Sequence, residues 1–207
     1  MADAPKSRLM LITPLVEDAD AFAPALEAAM GAADIAAAIV RLAPADERRR
    51  LARAKRLLGP VQSTGAAAIL EGLPDLVGKS GADGLHVLGA GPELAELTVR
   101  FQPEKIVGAG RLPARHDAMT AGEAGVDYVL FGDEPVDVAA LLDRVEWWAD
   151  LFEVPCVAVA RRPEEVRALG EAGADFVALG EWIWTAEGGP AAAVRSAAQA
   201  LERQPAG

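Results

Sequence analysis

Short runs of apolar residues alternate along the chain with longer amphipathic stretches rich in Ala and Glu. The apolar runs are almost unbroken, which is typical of parallel strands covered on both faces, whereas the stretches between them have helical spacing. The pattern predicts eight strands, at Leu9–Thr13, Asp34–Arg41, Ala66–Leu70, Gly84–Leu88, Lys105–Ala109, Tyr128–Phe131, Val154–Ala160 and Phe176–Leu179. It also predicts eight helices, at Ala19–Met30, Ala45–Leu58, Pro74–Lys79, Pro92–Arg100, Ala114–Glu123, Val138–Leu151, Pro163–Glu171 and Pro190–Arg203.

A Gly-x-Asp phrase recurs before the predicted strands, as Gly81-Ala82-Asp83, Gly125-Val126-Asp127 and Gly173-Ala174-Asp175. Gly is typical of the residue after a helix, and Asp of the turn into a strand. Strict alternation of strand and helix allows a doubly wound open sheet or a closed barrel. Eight even units, without a G-x-G-x-x-G phrase after the first strand, favour one (β/α)8 TIM barrel domain over residues 1–207. The boundary of strand 3 stays open, because residues 59–65 could contain an extended segment.

Composition narrows the classes of partner. The chain carries 31 acidic and 20 basic residues, a net charge of −11, which argues against nucleic-acid binding. The first apolar run is too short for a signal sequence or a membrane span, so we expect a cytoplasmic protein with no membrane partner. The single cysteine, Cys156, lies in an apolar run and is interpreted as a buried small hydrophobe.

Four motifs carry a resemblance to a known family: Leu11-Ile12-Thr13, Gly81 to His86, Lys105-Ile106-Val107-Gly108 and Gly125-Val126-Asp127-Tyr128. In order and spacing they resemble thiamine-phosphate synthase and its thiazole-tautomerase relatives, over nearly the whole chain. The resemblance implies a barrel that joins a pyrimidine pyrophosphate to a thiazole phosphate. It also implies a small phosphorylated ligand, with Mg²⁺ assisting the departure of pyrophosphate.

The loops after strands 2 to 4 depart from the family pattern. Arg41 keeps the Arg of the family's Gln-Leu-Arg-x-Lys phrase, but the Gln and Lys are lost. The family's Asn-Asp-Arg falls at about Glu71-Gly72-Leu73, so its metal-binding Asp is missing unless Glu71 substitutes. His86 keeps the His of the family's His-Leu-Gly-Gln, without the acid that follows it.

The loops after strands 5 to 8 depart further. The family's Gly-x-Ser becomes Gly108-Ala109-Gly110, and its Thr- and Lys-bearing loop becomes an acidic run from Asp133 to Asp137. Its Gly-Gly at strand 7 becomes Ala160-Arg161-Arg162, and its Ser-Ala at strand 8 becomes Glu181-Trp182. Acids therefore replace a phosphate-binding Lys, and we expect the parent synthase activity to be weak or lost.

Candidate site residues follow from strand ends, where barrel enzymes carry their chemistry. Arg41 and His86 are the catalytic candidates, with a rim ion pair and a histidine satisfied by backbone as the alternatives. The phosphate-binding candidates are Arg161, Arg162 and Arg111, the first two because they precede the predicted first turn of helix 7. Ordinary surface charge is the alternative for all three. The metal candidates are Glu71, Asp133 and Glu134, although the acidic run could instead cap helix 6.

Aromatic residues give a further set of expectations. Helical spacing turns Trp148 inward and leaves Trp147 outward or against a neighbouring helix, where it could mark a homo-oligomer interface. Trp182 and Trp184 follow strand 8 and could cap the barrel mouth. Two functions remain: an enzyme of thiamine-phosphate metabolism, or a non-catalytic descendant that binds a small ligand or another protein. An open mouth with Arg161 or Arg162 facing it would favour the first, and a plugged mouth the second.

Overall fold

The computed structural model describes residues 7–202. Eight parallel strands pair in chain order, and the last pairs with the first, so the sheet closes into a barrel. The strands are β1 Arg8–Val16, β2 Ile35–Leu42, β3 Ala67–Glu71, β4 Gly84–Leu88, β5 Ile106–Gly110, β6 Tyr128–Phe131, β7 Cys156–Ala160 and β8 Phe176–Leu179. The helices are α1 Ala19–Met30, α2 Glu47–Gln62, α3 Pro74–Ser80, α4 Glu93–Phe101, α5 Arg115–Glu123, α6 Val138–Leu151, α7 Glu165–Glu171 and α8 Pro190–Glu202. The expected (β/α)8 barrel is confirmed, and the open sheet is excluded.

Two apolar layers hold the barrel together. Side chains that point inward from the strands, among them Ile12, Ile39, Ile69 and Leu130, fill the interior. A larger layer lies between the strands and the ring of helices. Because both strand faces are buried, the runs are apolar throughout, which explains the unbroken pattern in the sequence.

The recurring Gly-x-Asp phrase ties pairs of strands together. Asp83, just before β4, accepts a hydrogen bond from the backbone N–H of Ala68 in β3 at 2.9 Å. Asp127, before β6, accepts from Val107 in β5 at 2.8 Å. Asp175, before β8, accepts from Cys156 in β7 at 2.8 Å. We call these three carboxylates the strand clamps; each one bonds an N–H near the start of the preceding strand.

The glycine of this phrase is required by its backbone conformation. Gly81, Gly125 and Gly173 have φ of 82°, 81° and 97°, in the left-handed region that favours glycine. Each lies between a helix and the following clamp, so the phrase ends one helix and begins the next strand. The predicted positions of Gly after a helix and of Asp at the turn into a strand are confirmed.

Several predicted boundaries are wrong. Helix α2 continues through Pro60 to Gln62, because Leu57, Leu58 and Val61 extend its buried face; the segment 59–65 therefore contains no strand. Strand β1 extends to Val16 after an irregularity in its pairing with β2. Helix α7 begins at Glu165, since residues 163 and 164 form a turn. A 3₁₀ helix at Glu181–Thr185 was not predicted, and Arg203, the predicted end of helix 8, lies outside the described residues.

The aromatic residues of α6 are placed largely as expected. Trp148 is fully buried, and its indole N–H donates to the carbonyl of Val154 at 2.7 Å. Trp147 is half-buried, with the guanidinium of Arg115 from α5 lying 4.7 Å from its ring centroid. Cys156 is buried, as predicted. Within residues 7–202, no helix combines the length and apolarity needed to cross a membrane.

Candidate active site

A cavity of about 460 Å³ opens at the carboxyl ends of the strands, the end where barrel enzymes carry their active sites. Its floor is formed by apolar side chains such as Ile12, Ile39 and Val159. Its charged and polar lining includes Arg41, Glu71, His86, Arg111, Asp133, Glu134, Arg161 and Glu181. Seven of the eight sequence-predicted candidates therefore share one cavity, and only Arg162 is absent from its lining.

Arg41 is held by carboxylates on two sides. Its Nε lies 3.2 Å from Glu71 Oε1 at the end of β3, and its Nη1 lies 3.3 Å from Glu181 Oε1 after β8. Its backbone N–H donates to the buried hydroxyl of Thr13 at 2.9 Å. The guanidinium is therefore positioned in the mouth, but its charge is already balanced by the protein.

His86 lies at the floor of the cavity and is only 1% exposed. Its Nδ1 is 2.9 Å from the hydroxyl of Tyr128 in β6, and the two rings stack with centroids 5.7 Å apart. Burial, followed by the charges of Arg41 and Arg111, lowers the pKa of His86 from 6.5 to about 3. Burial also raises the pKa of Tyr128, so near neutral pH His86 is a neutral imidazole beside a protonated phenol.

Arg111 adopts a backbone conformation that few residues other than glycine adopt, with φ of 52°. The backbone N–H of Arg111 donates to both carboxylate oxygens of Asp133, at 2.9 and 3.2 Å. This contact holds the loop after β5 against the loop after β6. The residue Asp133 as a whole is exposed to solvent, but its carboxyl group lies among protein atoms at the mouth. The resulting loss of hydration raises the pKa of this carboxyl to about 6. Within residues 7–202 the Arg111 guanidinium makes no ion pair with a carboxylate, unlike that of Arg41.

The predicted anion site at the start of helix 7 is occupied by the protein's own carboxylate. Glu165, the first residue of α7, is 4% exposed, and its Oε2 accepts from the backbone N–H of Arg161 at 2.7 Å. Its Oε1 accepts from Nε of Arg162 at 3.2 Å. Arg162 is consequently turned away from the cavity, whereas Arg161 reaches its lining. Both arginines follow β7, as the sequence predicts, but the acid that binds them is not predicted.

The three predicted metal candidates are each engaged by another group of the protein. Glu71 is paired with Arg41, and Glu134 lies 3.3 Å from Arg144 of α6. Asp133 accepts from the Arg111 backbone. Among the described residues, no three His, Cys, Asp or Glu side chains are placed to hold a metal ion. Asp137, also in the acidic run, caps α6 by accepting from the N–H of Ala139, which is the alternative that the sequence left open.

The two tryptophans after β8 frame the mouth without closing it. Trp182 lines the cavity, and its indole N–H donates to the carbonyl of Ala160 at the end of β7, at 3.0 Å. Trp184 turns away, donates to the carbonyl of Ile12 at 2.8 Å and packs against Phe22 of α1. The expectation that both could cap the mouth therefore holds only in part, for Trp182 at the edge. The mouth is open and Arg161 reaches its lining, which is the outcome that favours an enzyme over a non-catalytic descendant, although Glu165 contacts this arginine.

Comparison with known proteins decides the family. The sequence pattern of the family described as "Thiamine monophosphate synthase" matches residues 9–183. The chain belongs to this family. It is 42% identical over 196 residues to a thiamine-phosphate synthase of Rhodospirillum centenum, covering 90% of this chain and 94% of that protein. It is 33% identical over 204 residues to a thiamine-phosphate synthase of Hyphomonas neptunium, covering 93% of this chain and 92% of that one.

The fold of this thiamine monophosphate synthase family member also matches a solved structure. A thiamine phosphate pyrophosphorylase from Pyrococcus furiosus superposes with a TM-score of 0.79, covering 96% of this chain and 97% of that one. At 20% identity this likeness supports the barrel fold alone. The sequence resemblance to thiamine-phosphate synthase is confirmed by the family match and the relatives.

Three residues in or beside the cavity of this family member are not predicted as site residues from its sequence: Thr13, Tyr128 and Glu165. Tyr128 and Thr13 each belong to a predicted strand and to a family motif, but neither is predicted to lie at the site. The single tyrosine of the chain, at the start of a strand, is a signal that could have identified Tyr128. Glu165 gave no signal, because an acid in the first turn of a helix is ordinary.

Proposed function

We propose that the chain acts in thiamine-phosphate metabolism by binding a phosphorylated thiazole-class or thiamine-class ligand at the barrel mouth, with synthase turnover weak or absent. Family membership and relatives named thiamine-phosphate synthase support the ligand class. The cavity volume of about 460 Å³ lies within the range of ordinary small-molecule sites.

The observation that carries the proposal is the neutralisation of the mouth by its own carboxylates. Departure of pyrophosphate builds charge on its oxygens, which needs unshielded cations or a metal. Here the Arg41 guanidinium already contacts Glu71 and Glu181, and Nε of Arg161 lies 3.9 Å from Oε2 of Glu165. Arg111 is the cavity cation with no such pair inside residues 7–202, so we assign it to the ligand phosphate.

Mg²⁺ chemistry does not fit this set of side chains. The family resemblance implies the ion, but Glu71 and Glu134 are each paired with an arginine, and Asp133 accepts a backbone N–H. Mg²⁺ usually takes one or two carboxylates together with substrate phosphates and water, and each of these three carboxylates is already engaged by another group of the protein. We therefore derive no step through Mg²⁺ and expect ligand binding to be insensitive to EDTA.

The test combines turnover and binding on the purified protein. Incubation with the pyrimidine pyrophosphate, thiazole phosphate and Mg²⁺ should give no thiamine phosphate, or traces only, while the Rhodospirillum centenum relative serves as the parallel reaction. Calorimetry should detect binding of thiazole phosphate. Arg111→Gln should weaken this binding about tenfold, the size expected for a charged hydrogen bond, whereas Arg167→Gln on the outer face should not.

Two results would contradict the proposal. Formation of thiamine phosphate at ordinary enzymatic rates, about 1 s⁻¹ or faster, would refute weak turnover. Absence of any binding by thiazole phosphate and by thiamine phosphate would refute the ligand class.

A further inference from the structure

The hydroxyl of Tyr128 has one hydrogen-bonding partner among residues 7–202, which is Nδ1 of His86 at 2.9 Å. A protonated phenol carries a single proton and needs an acceptor for it when buried. Tyr128 is 5% exposed, and burial raises its pKa, so the hydroxyl keeps its proton. Among the described residues, Nδ1 of His86 is the acceptor within reach of that proton.

This contact determines which ring nitrogen of His86 carries the proton. A neutral imidazole has one N–H and one bare nitrogen, and the hydrogen bond made by one nitrogen fixes the state of the other. If Nδ1 carried the proton and donated it to Tyr128, the phenolic proton would be left without an acceptor. The arrangement that satisfies both groups puts the ring proton on Nε2.

Two glycines of β5 make room for this pair. A Cβ on Gly108 would overlap the ring of Tyr128. A Cβ on Gly110 would lie 2.6 Å from Nε2 of His86 and 2.7 Å from Oδ2 of Asp133. The absence of a side chain at residue 110 thus leaves a slot in which Nε2 and a carboxylate oxygen face one point of the cavity.

The charges around the slot define what it can bind. Arg41 from β2 and Arg111 after β5 disfavour a second proton on His86. Glu71 from β3 and Asp133 after β6 are the acids that face the His86–Tyr128 pair. Because Oδ2 of Asp133 borders the slot, an anionic group entering it would be repelled.

We propose that Tyr128 fixes His86 as its Nε2–H tautomer, which presents a neutral N–H donor to an uncharged acceptor atom of the ligand, such as a heterocyclic nitrogen or a hydroxyl oxygen. Tyr128 is then a positioning residue, and His86 determines specificity at the floor while Arg111 receives the phosphate at the rim. The ligand contact rests on the proposed function, whereas the tautomer does not.

Nitrogen NMR tests the tautomer directly. The chain contains two histidines, so His116→Gln leaves His86 as the one histidine signal in ¹⁵N-labelled protein. Long-range ¹H–¹⁵N correlation should place the protonated-nitrogen shift on Nε2 and the bare-nitrogen shift on Nδ1, with no change between pH 5.5 and 8. Tyr128→Phe keeps the ring and removes the hydroxyl, so Nδ1–H should become populated.

A protonated Nδ1 in the wild-type ring would overturn the inference, as would titration within that pH range. An unchanged Nε2–H tautomer in Tyr128→Phe would overturn the role of the tyrosine. Should that variant fail to fold, the wild-type spectrum alone decides the tautomer. Adding thiazole phosphate should shift the Nε2–H resonance; binding that leaves it unmoved would refute the ligand contact while leaving the proposed function intact.

Discussion

The strand clamps lead to a quantitative prediction about stability, which we develop for Asp127→Ala. The carboxylate of Asp127 accepts the backbone N–H of Val107 at 2.8 Å and the side-chain amide of Gln102 at 2.9 Å. Both bonds end on Oδ2, so alanine removes both of them and adds no atom that could clash. Val107 is fully buried, so its N–H is left near the start of β5 with little access to water.

The expected loss follows from that unpaired donor. Leaving a buried N–H without an acceptor costs about 1–3 kcal/mol. The contact with Gln102 is exposed and contributes little. We therefore expect Asp127→Ala to lower the free energy of unfolding by about 2 kcal/mol. In a domain of this size that corresponds to a fall in Tm of roughly 4–8 °C.

Urea denaturation followed by tryptophan fluorescence measures this loss, with thermal unfolding as the second reading. Asp127→Asn keeps an oxygen acceptor for Val107 and should cost less than half as much. Glu123→Ala, at an exposed position at the end of α5, is the matched control and should be close to neutral. A loss below about 0.5 kcal/mol in Asp127→Ala, or equal losses for Ala and Asn, would refute the clamp.

Three further predictions concern the mouth. Folding lowers the pKa of His86 to about 3, so as the pH falls through 6.5 the imidazole of residue 86 takes up a proton only in the unfolded chain. Between pH 7 and 5 the wild type should therefore lose about 2 kcal/mol of its free energy of unfolding through this group. His86→Asn should not show this loss. The raised pKa of Asp133 makes stability change with pH in the opposite direction. The quantity to measure is therefore the difference in free energy of unfolding between wild type and His86→Asn, by urea denaturation at both pH values. An equal dependence on pH in the two proteins would contradict the prediction. Glu165→Gln should strengthen thiazole phosphate binding in calorimetry by roughly fivefold, about 1 kcal/mol, because it frees the Arg161 guanidinium to add a second cation to the mouth beside Arg111. Glu171→Gln on the same helix should not change the affinity, and unchanged affinity in Glu165→Gln would show that Arg161 does not contribute to phosphate binding. Gly110→Ala should abolish that binding because its Cβ would occupy the slot between His86 and Asp133, and wild-type affinity in this variant would place the ligand outside the slot.

The parts of the fold that could be predicted are those encoded by local chemistry. An unbroken apolar run identifies a strand covered on both faces, and the Gly-x-Asp phrase identifies the helix end and strand start on either side of it. Errors occurred where tertiary packing overrides local preference. Pro60 reads as a helix breaker, yet α2 continues because Val61 adds to its buried face.

The site was predictable residue by residue but not contact by contact. Strand ends placed Arg41, His86 and Arg111 at one mouth, because all parallel strands end at the same side of a barrel. Ion pairs between distant residues, such as Arg41 with Glu181, depend on rotamers that the sequence does not encode. The contacts of Glu165 with Arg161 and Arg162 are local, but an acid in the first turn of a helix is common and gives no signal of a blocked anion site.

Family resemblance in this chain reports on the fold more than on the reaction. Two of the four motifs that carry it contain strand clamps, Asp83 and Asp127, and these lie at the starts of strands, opposite the mouth. In barrels of this kind, residues at that end maintain stability and residues at the carboxyl end perform chemistry. Glu165 and Gly110 at the mouth do not contact the clamps, so the chemistry of the cavity can differ while the motifs are retained. Turnover must therefore be established by assay of the mouth, independently of how well the barrel matches its relatives.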